Sequence, residues 1–111
     1  MKKQAVEVLK ALQKEVYENA KKKGWHDFEI PFAIHIANLH GEVSEAWEWY
    51  REGDRASDHI PEFSGIEEEF ADIIIRLFDV AEDKGLDVIG ALFAKMRFNE
   101  GRPYRRGGKK T

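Results

Sequence analysis

The sequence contains no cysteine, which excludes disulfide bonds, zinc sites built on thiolates and cysteine nucleophiles. Its apolar runs fall far short of the ~20 residues that a membrane-spanning helix needs, and the chain does not open with a signal-peptide pattern. We therefore expect a cytoplasmic protein without a membrane partner. The 111 residues, 42% apolar and 35% charged, have the composition of one folded domain spanning residues 1–111.

Several motifs of common cofactor and metal sites are also missing. The P-loop, the dinucleotide-binding glycine pattern and the HExxH zinc motif do not occur. A ferritin-like di-iron bundle requires Glu-x-x-His on two helices, and none of the four histidines has an acidic residue three positions before it. A metal site in this chain is therefore expected to consist of carboxylates.

Charge is unevenly distributed along the chain. Residues 42–87 carry fifteen of the twenty-one acidic residues and four basic ones, whereas the two flanks carry fourteen Lys and Arg and six acids. The net charge of −3 thus combines a centre of about −11 with flanks of about +8. Such a centre is either a solvated acidic surface or a region that attracts cations.

Apolar spacing predicts four helices and no strands. The predicted helices cover about residues 3–23, 31–52, 65–84 and 88–101. Ser64 with Glu67 forms a capping box before the third helix, Gly85 ends it, and Asp87 can cap the fourth. We expect an all-α, four-helix bundle-like domain, followed by a basic, glycine-rich tail at residues 102–111.

Four acidic side chains are expected to converge beside the core. On a helical wheel, Glu42 and Glu45 fall on one shoulder of the apolar stripe of the second helix. Glu69 and Asp72, together with Arg76, fall on the matching shoulder of the third helix, and antiparallel packing places the two shoulders together. Four carboxylates in one semi-buried groove require protons or hard cations, and oxygen ligands suit Mg²⁺ or Mn²⁺.

The neighbouring residues of these helices have simpler expected roles. Glu67 belongs to the cap, and Glu48, Glu52 and Glu68 are expected to face solvent. Trp47 lies within the apolar stripe and is expected in the core. The alternative for the paired acids themselves is ordinary surface charge, because such pairs are common on helices.

Three segments resemble a known family. GEVSEAWE (residues 41–48) followed by EFADIIIRLFD (69–79) is similar to the ExxE…ExxD signature of the MazG-like all-α nucleoside triphosphate pyrophosphohydrolases. KMRFNEGRPYRRGGKK (95–110) resembles the Lys…Asn…Arg-Pro-Tyr segment after the fourth helix of small single-domain members. The resemblance covers about residues 25–110. It implies the all-α pyrophosphatase fold and hydrolysis of a nucleoside triphosphate to the monophosphate and pyrophosphate.

The resemblance also implies roles for single residues. The implied Mg²⁺ ligands are Glu42, Glu45, Glu69 and Asp72, the implied phosphate or metal-network contacts are Lys95 and Asn99, and the tail motif matches Arg102 and Tyr104. Gly41 stands where many members have a second, adjacent acid, and Arg106 where a histidine is frequent. A homodimer or homotetramer is implied as well, with a site completed by a neighbouring subunit.

The chemistry of the residues suggests how such a site would work. Glu45, at the polar edge of the groove, is expected to deprotonate or orient the attacking water. Lys95 is expected to act on the outer phosphates together with Asn99 and Arg102, which follow it at intervals of four and three. The candidates to stack on or hydrogen-bond the base are Trp25, His35 and Trp49.

Two other functions fit the sequence. The same fold could act on a different nucleotide, such as phosphoribosyl-ATP. A non-catalytic helical interaction module would carry the same acids as surface charge, and its melting temperature would not respond to Mg²⁺ beyond ordinary salt screening. The basic tail permits weak nucleic-acid binding, but its shortness and its glycines make nucleic acid an unexpected partner.

Overall fold

A computed structural model describes residues 2–104 and contains four helices there: α1 (Lys2–Lys22), α2 (Phe32–Arg51), α3 (Gly65–Lys84) and α4 (Val88–Glu100). This part of the chain has no strand, only one isolated bridge between Ala56 and Ser64. The predicted all-α architecture is confirmed, and no helix in residues 2–104 is both long and apolar enough to cross a membrane. Most of the predicted tail, from residue 105 onward and including Arg106, lies outside the described residues.

Short-range sequence signals set the ends of α3 and α4. The Ser64 hydroxyl accepts the N–H of Glu67 and the Glu67 side chain accepts the N–H of Ser64, so the predicted capping box is present. Gly85 ends α3 in the left-handed conformation, with φ of 67°. Asp87 then accepts the N–H of Gly90 at the start of α4. Because these signals are local, the sequence alone locates the helix boundaries.

Helix α3 is the central element of the fold. Glu42 on α2 bonds Arg76 on α3, and further along α2 Trp49 bonds the earlier residue Glu69. Contacts with higher residue numbers in α2 thus have lower residue numbers in α3, so these two helices are antiparallel. Helix α1 also packs along α3, and α4 makes its largest contact with α1. The contact between α2 and α3 is the one that positions the site.

The core of the described chain is small. Its buried apolar residues are Ala20, Ala46, Val80, Ala81 and Ile89. Ile89 is the only large side chain in residues 2–104 that is completely enclosed. The alanines contribute little apolar area, but they allow the helix backbones to approach closely.

The apolar face shared by α2 and α3 is exposed, and it includes Trp47, which was expected in the core. Trp47 is 57% exposed and stacks on Tyr50, with ring centroids 5.5 Å apart. Val43, Phe70 and Ile74 are also exposed. The prediction was wrong because hydrophobic periodicity shows that a face is apolar without showing which element covers it. We call these five residues the α2/α3 face.

Candidate metal centre and adjoining cavity

Three carboxylates meet where α2 packs on α3. Glu42, Glu69 and Asp72 each offer an oxygen within 4.8 Å of the others. The spacing of three puts Glu69 and Asp72 on one side of α3, and antiparallel packing brings Glu42 opposite them. Glu45, the fourth predicted ligand, is exposed and lies beside Glu69. We call Glu42, Glu69 and Asp72 the acid cluster.

Two oxygens of the acid cluster are buried without a hydrogen-bond partner in the described part of the chain. They are Oε2 of Glu42 and Oε1 of Glu69, and both residues are only 7% exposed. A buried polar atom left unpaired costs about 1–3 kcal/mol, and more when the group is charged. The cluster offers carboxylate oxygens only, which are the ligands that Mg²⁺ and Mn²⁺ prefer. The residues present therefore fit a hard divalent cation.

Burial and mutual repulsion raise pKa values within the acid cluster. Burial is the main cause that raises the pKa of Glu69 to about 7. The neighbouring carboxyl groups of Glu45 and Glu42 raise this pKa further, and the hydrogen bond from the indole N–H of Trp49 opposes the increase. Burial, followed by the charge of Glu42, also raises the pKa of Asp72. Protons and a cation would thus compete for the same oxygens.

Trp49, a candidate for contact with the base, directly contacts the acid cluster. Its Nε1 donates to Oε2 of Glu69 at 3.2 Å. One side of its ring packs so closely on Gly65 that an added Cβ would overlap the ring. The guanidinium of Arg55 lies 5.0 Å from the ring centroid. These contacts make Trp49 a residue that orients the Glu69 carboxylate.

Arg76 was expected on the same shoulder of the third helix as Glu69 and Asp72, but its pairing with Glu42 was not predicted. Nε of Arg76 donates to Oε1 of Glu42 at 2.7 Å, and the Glu42 side chain is 9% exposed. This is the only ion pair that the acid cluster makes within residues 2–104. The available signal was a basic residue four positions after Asp72, inside the apolar run IIIRLF.

A cavity of about 220 Å³ adjoins the acid cluster at Arg76. Two predicted base-binding residues, Trp25 and His35, line it, and Asn38 adds a further polar side chain. Trp25 is half exposed, whereas His35 is buried. The remaining lining residues are His26, Ile30, Asp79 and Val80. An exposed aromatic ring beside convergent polar groups is typical of a small-molecule site, and we call this feature the Trp25 cavity.

The loop that carries Trp25 is anchored by its neighbour His26. Nε2 of His26 lies 2.7 Å from Oδ1 of Asp79, and Nδ1 lies 3.5 Å from Oδ1 of Asp83. The imidazole ring is also 4.9 Å from the ring of Tyr17 on α1. The loop is thereby tied to both α1 and α3, which fixes Trp25 beside the cavity.

The predicted phosphate-binding residues lie on an exposed part of the chain. Lys95, Asn99, Arg102 and Tyr104 are all exposed. Lys95 and Arg102 lie over the ring of Phe98, at 4.5 Å and 5.7 Å from its centroid. Within residues 2–104, Lys95, Asn99 and Arg102 make no hydrogen bond or ion pair with the acid cluster.

One acid expected to face solvent has partners. Glu68 accepts hydrogen bonds from the Ser57 hydroxyl and from Nδ1 of His59, the latter at 2.8 Å, and its side chain is 15% exposed. The bonds from Ser57 and then His59 lower the pKa of Glu68, and the bond to Glu68 raises the pKa of His59. The prediction was wrong because the loop before α3 folds back onto the helix. Glu48 is exposed, as expected.

Comparison of the chain with protein-family models, with curated proteins and with solved structures finds no match. Its function must therefore be inferred from the chemistry of the acid cluster and the Trp25 cavity, together with the motifs in the sequence.

Proposed function

We propose that this protein is a Mg²⁺-dependent pyrophosphohydrolase, which converts a nucleoside triphosphate and water to the monophosphate and pyrophosphate. The observation that carries the proposal is the acid cluster, where buried oxygens of Glu42 and Glu69 have no partner among the described residues. The resemblance of the surrounding segments to the MazG-like signature supports the same reaction. Mn²⁺ would fit the same ligands.

The electrostatics of the site explain why a cation is needed. A triphosphate is strongly anionic, and carboxylates alone would repel it. Bound Mg²⁺ would supply charge that offsets the phosphates and would hold their oxygens in place. The chain contributes rigidity, because Trp49 orients Glu69 and the contact of α2 with α3 fixes the spacing of the ligands. Preorganised ligands reduce the cost of binding.

Glu45 is the residue to which we assign proton transfer. It lies beside Glu69 at the exposed edge of the acid cluster, where water has access. Its carboxylate can accept a proton from the water as the water oxygen attacks the α-phosphorus and the bond from that phosphorus to the α,β-bridging oxygen breaks. The pyrophosphate then leaves with the bridging oxygen.

The Trp25 cavity is the proposed site of the nucleobase. Arg76 belongs both to the cavity lining and to the ion pair with Glu42, so the cavity and the acid cluster are directly adjacent. The exposed ring of Trp25 can stack on a base. His35 and Asn38 offer hydrogen-bonding groups inside the cavity.

A second copy of the chain is the proposed partner of the α2/α3 face. Large exposed apolar patches mark interaction sites, and the residues of this face carry no charge, as is usual at the centre of homodimer interfaces. A shallow apolar groove lined by Ile36, Val43 and Leu77 continues the face across both helices. Two such helix pairs placed face to face would form a four-helix bundle, which agrees with the dimer implied by the sequence resemblance.

The second copy would also complete the site, with Lys95, Asn99 and Arg102 binding phosphate across the interface. A mixture of Glu42→Gln and Lys95→Ala chains tests this arrangement, because each variant lacks one half of the site. We expect each variant alone to be inactive and an equimolar mixture to recover about a quarter of wild-type activity through heterodimers. A mixture that stays inactive would place Lys95 and the acids of one site on the same chain.

The main test is pyrophosphate release from a panel of nucleoside triphosphates, with and without Mg²⁺. Glu42→Gln and Asp72→Asn should each reduce release by more than about 100-fold, because each removes a proposed ligand. Glu48→Gln is the matched control, since Glu48 is exposed on the same helix. The panel also includes phosphoribosyl-ATP, and its hydrolysis would show that the same site acts on a different nucleotide. Failure of Mg²⁺ to change either hydrolysis or melting temperature would instead indicate an interaction module.

A further inference from the structure

Arg76 lies at the boundary between the acid cluster and the Trp25 cavity. Its Nε donates to Oε1 of Glu42 at 2.7 Å. The same side chain lines the cavity, and its guanidinium carbon lies 5.9 Å from the centroid of the Trp25 ring. The guanidinium therefore adjoins both the cavity and the acid cluster.

The pair with Arg76 compensates only part of the charge of the acid cluster. Oε2 of Glu42 and Oε1 of Glu69 stay buried without a partner among residues 2–104. A guanidinium does not lose its proton in proteins, so its charge can leave Glu42 only if the side chain moves. The Arg76 side chain is 31% exposed, against 9% for Glu42, so the arginine is the less enclosed member of the pair.

We propose that Arg76 is an exchangeable counter-ion, which a divalent cation displaces from Glu42 and which then binds the phosphate of a nucleotide lying in the Trp25 cavity. This inference rests on the cation site of the proposed function and adds a coupling to it. Two positive groups on one carboxylate repel each other, so a cation on Glu42 weakens its bond to Arg76. The released guanidinium presents a fork of N–H donors that matches two phosphate oxygens.

Such an exchange links the two binding events. Without a nucleotide, the cation must compete with Arg76 for Glu42, and it binds weakly. A nucleotide gives the displaced Arg76 a new partner, so each ligand raises the affinity of the other by the same factor. A site of this kind would load the cation and the nucleotide together.

Calorimetric titration of Mn²⁺ into wild type, Arg76→Met and Arg76→Lys tests the exchange. Arg76→Met lacks the competing charge and should bind Mn²⁺ about tenfold more tightly without a nucleotide. With Mn²⁺ present, the same variant should bind a nucleoside monophosphate about tenfold more weakly. Arg76→Lys keeps the charge without the fork, so its Mn²⁺ affinity should match wild type while monophosphate binding weakens. If Arg76 had only a structural role, Arg76→Met would bind both Mn²⁺ and the monophosphate more weakly than wild type.

Arg51→Met is the matched control, since Arg51 is exposed and its ion pair is with Glu48, outside the acid cluster. Its Mn²⁺ affinity should stay close to that of wild type. Melting temperatures give a second measurement: Mn²⁺ should raise that of Arg76→Met more than that of wild type, because Glu42 then lacks its counter-ion. If Arg76→Met binds Mn²⁺ as tightly as wild type or more weakly, the exchange is overturned, but the proposed cation site is not. Absence of Mn²⁺ binding in wild type and in every variant overturns both.

Discussion

Nε1 of Trp49 donates to Oε2 of Glu69 at 3.2 Å, across the contact between α2 and α3. The bond satisfies one oxygen of the carboxylate and leaves the other, Oε1, buried without a partner among the described residues. Because an indole has one donor and no acceptor, this contact favours one orientation of the carboxylate. Trp49 thus positions a proposed metal ligand without being a ligand itself.

Trp49→Phe removes this N–H and keeps an aromatic ring against Gly65. We expect Mn²⁺ affinity to fall by about 10–100-fold, the usual loss when a residue that orients a metal ligand is replaced. Calorimetric titration measures the affinity, and pyrophosphate release should fall in parallel. Trp47→Phe is the control for Mn²⁺ affinity alone, because Trp47 stacks on Tyr50 in the α2/α3 face and does not bond the acid cluster among the described residues. If Trp49→Phe bound Mn²⁺ as tightly as wild type, the bond to Glu69 would have no role in the site.

Gly65→Ala tests the opposite side of the same indole. The new Cβ would overlap the Trp49 ring, so we expect the free energy of unfolding to fall by about 1–3 kcal/mol, as in other overpacked sites. Gly41→Ala is the matched control within α2, where an added Cβ meets nothing within 4 Å. It should raise the free energy of unfolding by about 0.5–1 kcal/mol, since alanine favours a helix. Urea denaturation measures both changes, and equal stability of the two variants would contradict the packing.

The raised pKa of Glu69 should make the metal-free protein less stable as pH rises. Unfolding restores the ordinary pKa of 4.5, whereas the folded carboxyl keeps its proton up to about pH 7. Between these values the unfolded chain binds fewer protons than the folded one, so the free energy of unfolding falls with pH. Below this window Glu69 contributes its full stability, and above it that contribution is lost. The loss is at most about 3 kcal/mol.

Thermal denaturation with a chelator between about pH 4 and pH 8 measures this loss. Glu69→Gln has no carboxyl to titrate, so its stability should decline less over the same range. Glu48→Gln removes an exposed carboxylate of α2 and should behave as wild type does. Parallel curves for wild type and Glu69→Gln would show that another group governs the pH dependence.

The parts of the fold that sequence predicted are those set by local signals. Ser64 and Gly85 act on backbone groups a few residues away, so the ends of α3 could be read directly. The meeting of Glu42 with Glu69 and Asp72 followed from helical periodicity and the antiparallel packing of neighbouring helices. Neither inference required knowledge of side-chain contacts between distant residues.

The parts that sequence did not predict depend on how the helices pair. The bond from Arg76 to Glu42 requires one particular register of α3 against α2, and periodicity does not specify a register. The loop contacts of Ser57 and His59 with Glu68 have no periodic signal at all. The exposure of Trp47 depends on which surfaces α1 covers, a property of the packed chain rather than of any single helix.

Val43→Glu places a charge in the α2/α3 face and should convert a dimer to monomers. A carboxylate buried in an apolar interface without a partner costs several kcal/mol, enough to lower the association constant by more than about a hundredfold. Sedimentation or light scattering measures the mass. Val8→Glu is the matched control on α1, where the valine is 67% exposed, compared with 55% for Val43. This control should keep the mass of wild type.

Val43→Glu also distinguishes the metal-binding part of the proposed site from the phosphate-binding part. All three residues of the acid cluster come from one chain, so monomeric Val43→Glu should bind Mn²⁺ as wild type does. It should nevertheless lose pyrophosphate release, because Lys95 of the second copy is then absent. If the wild-type protein is monomeric at assay concentration, the α2/α3 face is not a dimer interface. A monomeric variant with full activity would show that one chain is sufficient for catalysis.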